Sequence, residues 1–151
     1  MYKRHKHQLG ICVLVTFIVA AIFDWKFEPM AEVAVTVASI AMGVYIAAVS
    51  ALLGSQYAKE LKSTTDGEQP DKTLLGVLAE YFRYAGLSCI LLIAVSCLFL
   101  IPSNIVLPLL LLKVGSALSY GLFSANIFLL WLMLIFLGLI VKSSWTDKRN
   151  P

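Results

Sequence analysis

The chain has 151 residues, 60% of them hydrophobic and 14% charged, with a formal net charge of +3. Soluble domains carry about 25% charged residues, so this composition excludes an ordinary soluble fold and leaves no stretch long enough to form one beside a membrane. The basic residues do not mark a nucleic-acid binder, because each cluster flanks an apolar run, where it anchors a span at a lipid surface.

The first predicted span covers residues 9–25 and follows Lys3, Arg4, His5, Lys6 and His7. A basic head before an apolar run resembles a signal peptide. The residues after Ala20-Ala21 are Ile22, Phe23, Asp24 and Trp25, a poor cleavage site, so the span is expected to stay. Trp25 and Phe27 sit where an outer aromatic anchor belongs. The loop from Asp24 to Pro29 is short enough to predict a tight antiparallel hairpin with the next helix. Asp24, Glu28 and Glu32 gather there, with Lys26 as the nearby counter-charge. Glu32 suits the positive end of a helix dipole, or an acidic ring if several copies meet.

The second span covers residues 31–54. At about 100° per residue, Glu32, Thr36, Ser39, Gly43, Ala47, Ser50 and Gly54 fall within an arc of roughly 80°. One face of this helix is therefore small and polar from end to end. Ala34, Ala38, Ala41 and Ala48 make a second row of small residues. Such rows allow close approach of helix backbones in lipid, so this helix is expected to touch neighbours on more than one side. The first stripe either builds or lines an axis between copies, or is packing within the bundle.

Residues 55–83 are predicted to be cytoplasmic. The helix continues past the membrane surface through Lys59 and Lys62, and a polar turn or flexible linker over residues 63–70 follows. An amphipathic helix then starts with Asp71 as its N-cap. Leu74, Leu75, Leu78, Tyr81 and Phe82 give it a greasy face, which suits intramolecular packing, a membrane surface or a docked cytoplasmic protein.

The third span is expected over residues 84–101 and the fourth over residues 117–141. Between them, residues 102–116 are too greasy for an ordinary loop and too short to cross, which fits an interfacial or re-entrant element limited by Pro108. Asn126 lies well inside the fourth span and needs a hydrogen-bond partner there. Trp131 falls mid-span and is expected to be packed. Cys12, Cys89 and Cys97 all lie within spans and act as small hydrophobes.

The reading is an all-α integral membrane protein: a single domain of four transmembrane helices, arranged as two antiparallel hairpins. With both termini and residues 55–83 inside, ten basic residues are cytoplasmic, and Lys26 and Lys113 are outside. No HExxH, GxSxG, Walker or Rossmann pattern occurs, and no metal spacing. The sequence therefore points to a non-enzymatic protein without a cofactor or metal. Two functions fit. One is a self-associating, gated pore. The other is a membrane sensor or anchor that docks a cytoplasmic partner through residues 55–83. In size, span number and lack of catalytic motifs the chain resembles, in outline, the membrane effectors and sensors of bacterial antiphage defence operons, and more distantly holins. That resemblance implies a multi-pass protein of a bacterial inner membrane.

Overall fold

A computed structural model describes residues 2–54, 57–101 and 109–147. It contains helices α1 (Lys3–Ile22), α2 (Ala31–Leu53), α3 (Tyr57–Ser63), α4 (Leu74–Leu100) and α5 (Leu109–Asp147), with a 3-10 turn at Glu28–Met30 before α2. No strand occurs among the described residues. Four helices are long and apolar enough to cross a membrane, because hydrocarbon rewards segments that satisfy their own backbone. The protein is thus a multi-pass membrane protein built from helices.

The helices pack in the spatial order α1–α5–α4–α2. Consecutive helices α4 and α5 lie side by side, but α1 and α2 do not pack along their length, although a short loop joins them. The expected first hairpin is not a packed pair, and the loop explains why. Asp24 takes a left-handed φ of 52°, which a short polar side chain tolerates. The Trp25 N–H then reaches back to the Ala20 carbonyl at 3.1 Å and closes the end of α1. Phe27, expected as a surface anchor, is instead fully buried, its ring edge-on to Phe99 and Tyr120 at 5.4 and 5.2 Å. That plug draws the loop across α4 and α5, so α1 and α2 leave on opposite sides of them. Trp25 remains half exposed. Asp24 pairs with Lys113 at 3.0 Å, so Lys26 is not the loop's one cation.

The α2–α4 seam is built on alanine. Ala31, Ala34, Ala38, Ala41, Tyr45, Ala48 and Leu52 are the buried residues of α2, alternating three and four apart. Opposite them α4 buries Val77, Leu78, Tyr81, Ala85, Cys89, Leu92 and Ser96. Leu92, Leu129 and Met133 fill the centre. Helix α1 is peripheral: Ala20 is its one fully buried residue among those described. It meets α5 at Gly121, where an added Cβ would stand 3.2 Å from Val13 Cγ1 and 3.5 Å from the Val13 carbonyl.

Several boundaries move. Helix α4 is continuous from Leu74, so the predicted amphipathic segment and the span expected at 84–101 are one helix. Its N-cap is Thr73, whose hydroxyl accepts the Gly76 N–H at 3.2 Å, rather than Asp71. Helix α2 ends at Leu53, and α3 is a separate short helix that packs on α4 instead of extending α2. Helix α5 starts at Leu109 and has 39 residues, roughly 58 Å at about 1.5 Å each. Residues 109–116 therefore belong to a helix longer than the span expected at 117–141; the rest of the predicted re-entrant element lies outside the described residues. Trp131 is 56% exposed rather than packed.

Candidate functional site

All seven stripe residues of α2 lie on the outside of the bundle: Glu32, Thr36, Ser39, Gly43, Ala47, Ser50 and Gly54 are exposed. At about 100° per residue the centre of this stripe stands about 180° from the centre of the buried alanine row. A Cβ added at Gly43 would meet nothing within 4 Å. At Gly54 it would meet only carbonyls of its own helix, at 3.4 and 3.9 Å. The Thr36 hydroxyl donates to the Glu32 carbonyl at 2.9 Å, so this polar group is satisfied without water. Within one copy, then, the stripe is not bundle packing. The opposite peripheral helix, α1, offers a contrast: its outer face carries Ile11, Leu14, Val15, Ile18 and Ile22, bulky residues suited to acyl chains.

Asn126 is buried at the α4–α5 contact. Its amide donates to the Ser88 hydroxyl at 2.9 Å and to the carbonyls of Ser88 and Leu122 at 3.1 Å. Its carbonyl accepts the Cys89 thiol at 2.9 Å. An amide inside a bilayer that finds such partners fastens two helices together. The Tyr45 and Ser96 hydroxyls are buried without a hydrogen-bond partner. Tyr45 stands in register with the alanine row, a local signal for its burial, whereas Ser96 is one of two serines within the third span and nothing local tells which of them is left without a partner.

The five residues proposed for partner docking are only partly available. Leu78 and Tyr81 are buried, while Leu74, Leu75 and Phe82 are half-buried. Tyr81 faces inward because Phe136 of α5 packs on its ring at 5.1 Å. Leu75, Leu78, Ala79 and Phe82 instead line, with Val49, Leu52 and Leu53, an apolar cavity of about 270 Å³ between α2 and α4.

Of the segment over residues 63–70, expected as a polar turn or a flexible linker, Ser63 closes α3 and residues 64–70 form an ordered, turn-rich loop. Thr65 and Thr73 bridge across it, and the Leu74 N–H donates to the Thr64 carbonyl at 3.0 Å. Asp66, buried at 3% exposure, accepts the backbone N–H groups of Glu68 and Gln69 at 2.7 and 2.9 Å. The Tyr2 hydroxyl donates to its other oxygen. That bond and the two backbone donors hold the Asp66 carboxyl below the usual carboxylate range. Burial, and then the adjacent carboxylate, push the Tyr2 hydroxyl up. Sequence reasoning missed this contact because its two halves come from distant parts of the chain. Among the described residues no three His, Cys, Asp or Glu side chains converge as a metal-ligand set would.

No protein-family model, curated protein or solved structure matches the chain.

Proposed function

We propose that the protein is a non-enzymatic membrane effector that assembles with copies of itself through the outward face of α2, forming a gated pore. The observation that carries this reading is the full-length exposure of the stripe from Glu32 to Gly54. A helix face that only contacts lipid gains nothing from glycine, serine and alanine in register, whereas helices that meet in lipid gain close contact from them. In this reading any conducting path runs between copies, because Leu92, Leu129, Met133 and Phe27 fill the interior of one. Thr36, Ser39 and Ser50 offer hydroxyls along the path, and Glu32 stands at its outer mouth.

The orientation belongs to the same proposal. Lys3 and Lys6 of α1 and Lys72 of the loop line one cleft together with Glu68 and Glu80, and Lys6 lies over the Tyr84 ring, so α1 and the loop bring cations to one end. Lys113 and Lys26 lie at the opposite end, beside Asp24. The richer end is placed in the cytoplasm of a bacterial inner membrane. The docking alternative through residues 55–83 would use Leu75, Leu78 and Phe82, which line the cavity between α2 and α4, and not Tyr81, which packs on Phe136.

The test is ion flux from liposomes, with subunit number measured on the same samples. Wild type should conduct as an oligomer. Gly43→Leu should give folded single copies without flux, and Ser39→Leu should keep the oligomer and lose flux. A wild type that stays a single copy at high protein density in the bilayer would refute self-association. Oligomers that survive Gly43→Leu would remove α2 from the interface.

A further inference from the structure

At the basic end, three parts of the chain hydrogen-bond through one buried hydroxyl group and its neighbour. Tyr81 of α4 is 0% exposed. Its Oη accepts the Tyr2 N–H at 3.2 Å and lies 2.5 Å from Nδ1 of His5. The rings of Tyr2, His5 and Phe136 surround the Tyr81 ring at 6.1, 5.8 and 5.1 Å. Tyr2 passes the connection on, since its hydroxyl donates to Asp66 and so holds the loop over residues 64–73. Tyr81 Oη has a single proton. The Tyr2 N–H is itself a donor, so that proton goes to His5, which must present a bare Nδ1. The cluster is therefore built for a neutral imidazole that carries its proton on Nε2.

We propose that this cluster is a pH-sensitive latch, in which protonation of His5 releases the start of α1 from Tyr81 and frees the 64–73 loop from Tyr2. An imidazolium places an N–H on Nδ1. Tyr81 Oη then accepts from two donors, and its own proton is left without an acceptor in a buried site. The charges facing His5 come from each neighbouring element. Burial, and then Arg4 on α1, oppose the imidazolium and hold His5 below its ordinary range, while Glu68 of the loop favours it. Asp66 stands behind Tyr2, and α4 adds Glu80, which is paired with Lys72. From α5 the contact is the uncharged Phe136 ring. Glu68 gives the released imidazolium a place to settle. His5, held below the ordinary imidazole range by burial, is the member that gains its proton as pH falls from neutral. Asp66, held below the usual carboxylate range, stays ionised in that window, and Tyr2, pushed up, keeps its proton.

The test uses the full chain at one copy per lipid nanodisc, so it does not depend on self-association. Nitrogen NMR of labelled histidine reads the His5 tautomer, and amide exchange, corrected for its intrinsic pH dependence, reads the Glu68 and Gln69 N–H groups. At pH 8 His5 should be the Nε2–H tautomer. Between pH 7 and 5 protection of those amides should fall by about tenfold, the equivalent of one unit of linked pKa shift. His5→Gln keeps an acceptor but does not titrate, so protection should be equal at both pH values, while His7→Gln should respond like wild type. An Nδ1–H tautomer at pH 8, or the same fall in His5→Gln, overturns the proposal. Should His5→Gln lose helicity, Tyr81→Phe decides: with no proton to strand, its amides should not respond to pH, and a persisting response overturns the latch.

Discussion

Replacing Asn126 by Leu tests whether the buried amide joins α4 to α5. The change roughly conserves volume, so little cavity cost is added. It removes three contacts that cross between helices: two to Ser88 at 2.9 and 3.1 Å, and the Cys89 thiol at 2.9 Å. The fourth, to the Leu122 carbonyl at 3.1 Å, stays within α5. Hydrogen bonds between helices in a bilayer contribute on average about 0.6 kcal/mol, and at most about 1.7. The amide has two hydrogens for its three acceptors, so the two Ser88 contacts count as about one full bond beside the thiol, a loss of roughly 1–2 kcal/mol. The larger penalty of a stranded polar group is avoided. Both carbonyls keep their helical N–H partners, the Ser88 hydroxyl can turn to its own helix, and a thiol is a weak donor. Reversible unfolding in mixed micelles measures the loss, and a cycle with Ser88→Ala isolates the pair. The cycle should return a coupling of about 0.6–1.7 kcal/mol. An Asn126→Leu protein as stable as wild type, or strictly additive effects with Ser88→Ala, would refute the assignment of this amide as an interhelical fastener.

Two further outcomes follow from other contacts. Gly121→Leu pushes a side chain into Val13, whose Cγ1 is already 3.2 Å from the position of a Cβ. Overpacking of about 1–3 kcal/mol should loosen the middle of the α1–α5 contact, where Cys12, Val13 and Phe17 are half-buried. Thiol labelling of half-buried Cys12 should then accelerate while that of exposed Cys97 stays constant, and an unchanged Cys12 rate would place the attachment elsewhere. For Asp66, a folded pKa below the ordinary one means that its contribution is complete above about pH 4 and is lost as pH falls through the folded value. Asp66→Asn should therefore open the 64–73 loop at pH 7 by about 1.5–3 kcal/mol, as expected for hydrogen bonds to a charge. It should match wild type in strong acid. A wild-type loop equally protected from exchange at pH 7 and pH 2 would show that the carboxylate does not hold it.

The four apolar helices were legible in the sequence because hydrocarbon imposes a local condition. Each span must be apolar and must satisfy its own backbone, and both properties can be read residue by residue. The angular position of the α2 stripe was legible for the same reason, since helical periodicity is local. Which of its two small rows faces inward was not. Ala34, Ala38, Ala41 and Ala48 lie against α4, and Ser39, Gly43 and Ala47 lie outside. Only the partner helix makes that choice. Phe27 and Trp131 were misplaced because depth along a span says nothing about direction around it: Phe27 points into the bundle and Trp131 out. The 64–73 segment has a linker's composition; short-range hydrogen bonds turn it back on itself, and the contact that ties it to the start of α1, from Tyr2, comes from far earlier in the chain. What the chain's composition and period determined is that it spans a membrane with four helices, one of them striped. What only the tertiary structure decided is that the stripe faces away from its own bundle, because two surfaces of one helix, equally small, are told apart only by the neighbour that covers one of them.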